Sequence, residues 1–389
     1  MDLESSSFFV PEYMLDFKCV GEDCIDSCCI GWNVEIDKKT YQKYENSTNK
    51  KIKSISQNHL VKRNLNSNIT YARLINHNNC CPFLNEKKLC NVYNLLGKEN
   101  LSVGCSTYPR IIRKFNKTGF IAGELSCPEM AKLCLNKSNL KINTLKKNKL
   151  PNVFNSNNIH SYEISKNLPE KFLKYIEGVF LLLSSNITFY GALKQIIISY
   201  NKMIQNKKSS QPYSKNEVKK IKENSPLIQT NFLAKLCFSN FTGNTRYQEI
   251  CKKSAATSKY FDLSEKEFKK KFDIIYRTKF YSFKKENEFI FKNFFVNEFI
   301  KNIQNFIISE NSFYDSVREV IFFIELTNFL LVCQLFEENK KLSINNFVEV
   351  LSAAVKQIQS SRQKIHIIIN FLKKIPDDNL LSKLLNLKF

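Results

Sequence analysis

The sequence predicts a mainly α protein, in which a small irregular cysteine-rich metal-binding N-terminal domain precedes an all-α helical domain. Three observations support this fold class: ten of the thirteen cysteines lie in the first 135 residues, a polar stretch follows them, and helical periodicity dominates the remainder. We therefore predict a cysteine-rich metal- or iron–sulfur-binding domain at residues 1–135, a polar linker at 136–165 and a basic all-α domain at 166–389.

Apolar and polar residues alternate only over short segments of the first domain, such as residues 32–37, so no long strand or helix is predicted there. Small irregular domains need cross-links, and ligated cysteines can supply them. The chain begins Met-Asp-Leu-Glu, without the basic and apolar regions of a secretory signal. No apolar stretch reaches the ~20 residues of a membrane span. We therefore expect a cytoplasmic protein without membrane contact, whose reduced thiols bind metal instead of forming disulfides.

The linker is predicted from eight Asn and five Lys within residues 136–160, where the apolar periodicity is lost. Beyond it, Asn167 can cap a helix whose apolar residues recur at the 3.6-residue period, namely Phe172, Ile176, Val179, Phe180 and Leu183. Further helices are predicted after Ser343 and over residues 290–308 and 316–336. Their aromatic stripes are typical of a helical core.

The net charge of +23 is unevenly distributed, with +4 in residues 1–135 and +19 in residues 136–389. A field of that sign could attract nucleic acid, an anionic membrane surface or an acidic protein. The basic stretches are also rich in Asn, Ile and Phe, which is typical of a biased genome composition, and they carry no nucleic-acid-binding motif. Nucleic acid is therefore not expected as a partner.

Closely spaced cysteines form the first cluster, Cys19-x4-Cys24-x3-Cys28-Cys29, and further thiols follow on separate segments. Thiolates on tight loops can converge on one cation, at about 2.3 Å each for zinc. The predicted metal ligands are Cys24, Cys28, Cys29, Cys81, Cys90 and Cys105, with Cys19 and Cys127 in second rank and Cys80 and Cys134 below the first six. A [4Fe-4S] cluster and structural zinc both accept this thiolate-rich set. The three-cysteine CxxxCxxC loop of radical-SAM enzymes is absent.

The order of these motifs resembles the flagellin lysine-N-methylase family over about residues 13–135. The motifs are Cys19 to Trp32, Cys81-Pro-Phe-Leu84, Cys90-x-x-Tyr93, Tyr108-Pro109-Arg110 and Ser126-Cys127-Pro128-Glu129. In the second domain, the segment from Asn293 to Asn297 is similar to a helix of the same family. The resemblance implies methyl transfer from S-adenosylmethionine to lysine side chains of flagellin, with an associated iron–sulfur cluster.

Catalytic residues are not identified by the sequence. Methyl transfer needs a deprotonated lysine, and Asp37, Tyr108 and Glu129 are candidate proton acceptors, although helix capping or packing explains the same residues. Trp32 and Arg110 are second-rank candidates for cofactor binding: Arg110 by clamping a carboxylate, Trp32 by stacking or by shielding the metal. No Gly-rich turn of a Rossmann-type methyltransferase is present. The alternative function is a non-catalytic cysteine-ligated metalloprotein that acts as a protein-binding module.

Overall fold

The computed structural model describes residues 6–31, 34–63, 67–68, 70–77, 79–151, 154, 161–164, 168–204, 228, 230–239, 245–359 and 361–374. The prediction of a mainly α protein is confirmed, since helices make up most of the described chain. Trp32, and Asn167 as a helix cap, lie outside the described residues. Within the described part, no helix has the length and apolar content needed to cross a bilayer.

Two β-sheets lie in the N-terminal part, where the sequence predicts only short irregular segments. The strands are β1 (Ser7–Pro11), β2 (Val34–Ile36), β3 (Leu60–Lys62), β4 (Ala72–Leu74), β5 (Arg110–Phe115), β6 (Thr118–Gly123), β7 (Ile142–Lys146) and β8 (Ser161–Ile164). Five of them form a mixed sheet in the order β7-β1-β6-β5-β8, and three form a sheet in the order β2-β4-β3. The sequence predicts no long strand here, and none of the described strands exceeds six residues, but their assembly into two sheets was not predicted.

Local sequence patterns do not predict these strands, because their pairing partners are distant in the chain. Strand β1 pairs in parallel with β6, where Phe8 lies opposite Gly119, and antiparallel with β7, where Phe8 lies opposite Leu145. The ring of Phe8 lies so close to Gly119 that a Cβ there would approach it to 2.1 Å. Gly119 is therefore required by close packing within the sheet.

Strands β7 and β8 lie within residues 136–165, the range predicted to be a polar linker. Strand β7 is an edge strand, which can carry polar residues on its solvent side. Strand β8 pairs in parallel with β5 from Ile112↔Ser161 to Phe115↔Ile164. The division of the chain into domains at this range stays a prediction, although part of the range contributes to the five-stranded sheet.

Short helices connect the strands of the N-terminal part. They are α1 (Tyr13–Asp16), α2 (Lys38–Glu45), α3 (Lys50–His59), α4 (Asn91–Leu96), α5 (Val103–Thr107) and α6 (Pro128–Leu135). Polar side chains cap the N-termini of some of these helices. Asp37 accepts a hydrogen bond from the Thr40 amide at the start of α2, and Ser102 accepts one from the Cys105 amide at the start of α5.

Every regular element described between residues 170 and 374 is helical, as predicted for the second domain. The helices are α7 (Glu170–Ser184), α8 (Phe189–Ile204), α9 (Thr230–Phe238), α10 (Arg246–Ser258), α11 (Glu265–Ile275), α12 (Tyr281–Glu286), α13 (Phe289–Lys301), α14 (Ile303–Ile308), α15 (Glu310–Gln334), α16 (Ile344–Gln359) and α17 (Arg362–Leu372). A single π-helical turn, Tyr276–Phe280, joins α11 to α12.

The predicted apolar stripes are buried. All five predicted positions of α7 lie in the core, and Ser343 caps α16 by accepting a hydrogen bond from the Asn346 amide. The helix predicted over residues 290–308 is divided in two, because the backbone leaves the helical conformation at Asn302. The helix predicted at 316–336 begins earlier, where Ser309 accepts a hydrogen bond from the Ser312 amide.

One hydrophobic core contains residues of both the five-stranded sheet and the helices, including Phe120 and Phe294. A separate small core lies under α2, α3 and the three-stranded sheet, and it includes Ile36, Phe83 and Cys81. Cys29 and Cys90 pack against this second core. The cysteine-bearing loops are therefore supported by a small hydrophobic cluster of their own.

Candidate functional site

The cysteine loops are joined to each other through their backbones. The Cys81 amide donates a hydrogen bond of 2.8 Å to the Cys29 carbonyl, and the Gly31 amide donates one of 2.9 Å to Asn79. Gly31 has φ 95°, a conformation that favours glycine. The turn after the Cys28-Cys29 pair is thus tied directly to the segment that carries Cys81.

Two further cysteines, Cys90 and Cys105, are placed by short helices. Cys90 immediately precedes α4 and forms a β-bridge with Leu84, while Cys105 lies in α5. Asp37 caps α2, and its other carboxylate oxygen accepts a hydrogen bond from the Val103 amide at the start of α5. This agrees with the capping interpretation of Asp37, whose carboxylate holds α2 and α5 together.

We define the thiol cluster as Cys28, Cys29, Cys81, Cys90 and Cys105, which are five of the six first-rank predicted ligands. Its members affect each other's ionisation. A hydrogen bond with Cys29, followed by withdrawal from water, raises the pKa of Cys28. At Cys29, the hydrogen bond with Cys28 lowers the pKa, but the hydrogen bond with Cys81 and burial outweigh it and raise the pKa. Thiols that interact in this way lie close together.

The pKa values of the other members follow the same pattern. Withdrawal of the thiol from water, together with the charges of Cys90 and Cys28, raises the pKa of Cys105 to about 11, although the residue as a whole keeps an exposed surface. Burial, and then the charge of Cys28, raises the pKa of Cys90. A bound metal would have to displace these protons, because the thiolate is the metal ligand.

A second group of thiols consists of Cys19, Cys24 and Cys127. Burial raises the pKa of Cys127 to about 12, with further contributions from Cys24 and Cys19. Cys24, predicted in first rank, thus lies with the two second-rank cysteines, although it also interacts with Cys28. Cys134 is fully buried, and its thiol donates a 3.7 Å hydrogen bond to the Asn293 carbonyl.

The thiol-rich donor set fits iron–sulfur or zinc chemically, since both metals are held by cysteine thiolates. No three His, Cys, Asp or Glu side chains in the described part of the chain are arranged as a ligand shell. The predicted ligands therefore approach each other without defining a coordination geometry, and their assignment as metal ligands stays a prediction.

Arg110 lies beside the second thiol group. Its guanidinium is 4.9 Å from the ring centroid of Phe17 and 5.9 Å from that of Phe154. Burial lowers the pKa of Arg110, while the charges of Cys19 and Cys127 oppose this effect. The buried Nε has no hydrogen-bond partner among the described residues. A guanidinium that lies near two rings and keeps an unpaired donor can receive an anionic group.

Tyr108 and Glu129 are engaged in local structure. The Tyr108 hydroxyl lies 3.1 Å from the hydroxyl of Ser126, and burial raises its pKa well above the ordinary value. Glu129 lies in the first turn of α6 and is 3.8 Å from Lys132. Both positions agree with the packing and capping interpretation that the sequence left open.

A carboxylate network at the junction of the hairpin β5–β6 with α13, α15 and α16 was not predicted. It consists of Glu124, Glu298, Lys301, Glu319 and Gln359. The Lys301 ammonium lies 2.9 Å from Glu124 and 3.5 Å from Glu298, and the Gln359 amide donates hydrogen bonds to Glu298 and Glu319. Glu298 and Glu319 come from the helical part, and Glu124 comes from the N-terminal part.

The pKa values of three ionisable groups in this network are raised. Burial, and then the charge of Glu298, raises the pKa of Glu319 to about 7. Burial also raises the pKa of Glu298. Burial lowers the pKa of Lys301, but the charges of Glu124 and Glu298 outweigh it and hold the pKa above its usual value. The sequence signal was the presence of Glu298 and Lys301, three residues apart, in a helix rich in aromatic residues.

The three cysteines of the helical part also come together. Burial raises the pKa of Cys237 well above its ordinary value, with contributions from Cys251 and Cys333. All three residues are buried among apolar side chains. Free cysteines buried in this way act as small hydrophobic residues.

Together these features define a thiol-rich protein whose larger part is a helical body. The model of the "FliB lysine N-methylase C-terminal domain" matches residues 172–386, more than half of the chain. The chain therefore belongs to the FliB lysine N-methylase family, which confirms the family resemblance found in the sequence.

Curated relatives match a shorter stretch. The chain is 36% identical over 128 residues to a protein named lysine-N-methylase from Salmonella typhimurium and, to the same degree, from Salmonella choleraesuis. The match covers 32% of this chain and 32% of each relative, so the chain spans about a third of the length of these relatives. It is 35% identical over 128 residues to the flagellar biosynthetic protein FliU of Salmonella muenchen, covering 32% of this chain and 75% of that relative. No solved structure matches the chain.

Proposed function

We propose that the protein is a protein-lysine N-methyltransferase that transfers methyl groups from S-adenosylmethionine to lysine side chains of flagellin in the cytoplasm. The observation that carries this proposal is the family match over residues 172–386. The names of the relatives, lysine-N-methylase and flagellar biosynthetic protein, support the reaction and the flagellar substrate.

A cysteine-ligated iron–sulfur centre, with zinc as the alternative, is part of this proposal. The thiol cluster would hold it, since its five thiols come from separate segments that the backbone ties together. When bound, an iron–sulfur cluster supplies electron transfer or structural cross-linking, whereas zinc supplies cross-linking alone in a closed four-ligand site. The small core beneath the loops would orient the ligands.

Arg110 is the residue that we propose for the carboxylate of S-adenosylmethionine. Its unpaired Nε, and the two rings that fix the guanidinium, favour a fixed anion-binding geometry. Holding the methyl donor in line with the acceptor would contribute by positioning.

The acceptor lysine must lose a proton before attack, because an ordinary lysine has a pKa of about 10.4. Asp37, Tyr108 and Glu129 are already engaged in capping or hydrogen bonding. The carboxylate network is the better candidate, since burial raises the pKa of Glu319 to about 7, close to that of an effective proton acceptor at neutral pH, and Glu124 is only partly buried.

Mass spectrometry of flagellin co-expressed with and without this protein tests the proposal. We expect methyl-sized mass increments on lysine only in its presence. Arg110→Lys should reduce the increments, because lysine lacks the guanidinium fork, whereas the surface variant Lys373→Gln should not. Unmodified flagellin together with bound metal would favour the non-catalytic metalloprotein, and the iron and zinc contents of anaerobically purified protein identify the centre.

A further inference from the structure

A lysine of the helical part reaches the first cysteine loop. The ammonium of Lys356, near the end of α16, donates a hydrogen bond of 2.7 Å to Asp26 Oδ1 and another of 2.7 Å to the Ser27 carbonyl. The side chains of Lys356 and Asp26 are only 12% and 11% exposed. This contact joins two residues that are 330 positions apart in the sequence.

The two acceptors lie between Cys24 and Cys28. Asp26 Oδ1 also accepts a hydrogen bond of 2.8 Å from the Ser27 amide, and the Ser27 hydroxyl accepts one of 3.2 Å from the Cys29 amide. One ammonium group therefore holds the side chain and the main chain of a turn whose next residues enter the thiol cluster.

The aliphatic part of Lys356 lies beside Gly31. Its Cε lies 3.6 Å from the position that a Cβ at Gly31 would occupy, which is van der Waals distance. Gly31 is in turn hydrogen-bonded to Asn79, close to Cys80 and Cys81. The lysine thus binds the start of the segment 26–31, which contains Cys28 and Cys29, and lies near its end.

Removing one partner of such an enclosed ion pair leaves a charge in a poorly hydrated place, so the contact is more than a surface salt bridge. We propose that Lys356 is a positioning residue that holds the turn 26–31 so that Cys28 and Cys29 join the thiol cluster. The inference rests on the proposed function only where it concerns metal. If the thiol cluster holds a metal, the metal centre depends on both the N-terminal loops and helix α16.

Hydrogen exchange of the full-length protein tests the contact without metal. In Lys356→Gln, amides of residues 24–31 should exchange about tenfold faster, while those of α13 keep their wild-type protection. Lys356→Arg should recover most of this protection, because a guanidinium can reach the same two acceptors. Lys373→Gln is the matched control, since Lys373 forms an equally short but more exposed pair with Asp315. Wild-type exchange at residues 24–31 in Lys356→Gln would overturn the proposal.

Metal retention tests the functional consequence. Against a chelator, Lys356→Gln should lose its metal about 10- to 100-fold more readily than the wild type, and an iron–sulfur absorption spectrum should change and be restored by Lys356→Arg. Equal retention by both proteins would overturn the role in the centre. If the wild-type protein binds no metal, the proposed centre fails, and hydrogen exchange still decides the positioning role.

A variant on the loop side keeps the test decisive if Lys356→Gln does not fold. Asp26→Asn should accelerate exchange of the same segment. Where both single variants fold, a double-mutant cycle adds a second test: the combined variant should be little worse than either single variant, because both remove one interaction. Additive effects of the two substitutions would show that the residues act independently and would refute the proposal.

Discussion

Asn297 joins the helical body to the five-stranded sheet, and its removal should be severely destabilising. The side chain is fully buried on α13. Its Nδ2 donates a 2.9 Å hydrogen bond to the Gly123 carbonyl, and its Oδ1 accepts hydrogen bonds from the Gly123 amide, at 2.9 Å, and from the Tyr13 hydroxyl. The Nδ2 group also donates a 3.0 Å hydrogen bond to Glu298 on the same helix. Across the junction with the sheet, Asn297→Ala would take away the hydrogen-bond partner of three polar groups.

The magnitude follows from those three groups. An unsatisfied buried donor or acceptor costs about 1–3 kcal/mol, and partial relaxation makes the three contributions less than additive. We therefore expect Asn297→Ala to lower the free energy of unfolding by about 3–5 kcal/mol. Asn297→Asp should be as harmful, because it loses the donor to Gly123 and adds a carboxylate beside Glu298.

Equilibrium unfolding in urea, followed by circular dichroism, measures this effect. Asn287→Ala is the matched control, since Asn287 makes a local hydrogen bond to the Phe283 carbonyl and should cost no more than about 1 kcal/mol. A loss below about 1 kcal/mol in Asn297→Ala, or a loss no larger than in the control, would refute the reasoning.

Three further predictions concern the site. Glu319→Gln keeps the acceptor for Gln359. Because folding raises the pKa of Glu319 from the ordinary 4.5 to about 7, the free energy of unfolding of the wild type falls as the pH increases across that interval. In urea unfolding, the variant should therefore be more stable than the wild type by about 2–3 kcal/mol at pH 8 and by little at pH 4. Equal gains at both pH values would contradict this. Cys28→Ser should abolish metal binding in elemental analysis, whereas Cys251→Ser should retain the metal; loss of metal in both would show that the division of the cysteines is wrong. Arg110→Ala should weaken S-adenosylmethionine binding at least about tenfold in calorimetry, and unchanged binding would exclude the clamp.

Local sequence patterns were sufficient to predict that the second part is helical, although they did not predict the break at Asn302. Phe172, Ile176 and Val179 are buried as the 3.6-residue period predicts, because helix amphipathicity depends on neighbouring residues alone. The segment from Asn293 to Asn297 was noted only as similar to the family. The structure supplies its physical role, since both side chains hold backbone groups of the N-terminal part.

The sheets were missed because their pairing is non-local. Residues Ser7–Pro11 pair with strands more than 100 residues away, and β7 lies in a stretch whose Asn and Lys content suggested a linker. The carboxylate network was missed for the same reason, because Glu124, Lys301 and Gln359 come from three distant segments. Patterns within a short window do not report such convergence.

The chemistry assigned to the first 135 residues therefore depends on the helical body for its support. Phe120 of the sheet and Phe294 of α13 belong to one hydrophobic core, Lys301 pairs with Glu124 beside the Tyr108-Pro109-Arg110 motif, and Lys356 holds the turn before Cys28. Separating the cysteine-rich segment would expose that core and remove the cationic partners of Glu124 and Asp26. Measurements of metal content and of methyl transfer consequently require the full chain.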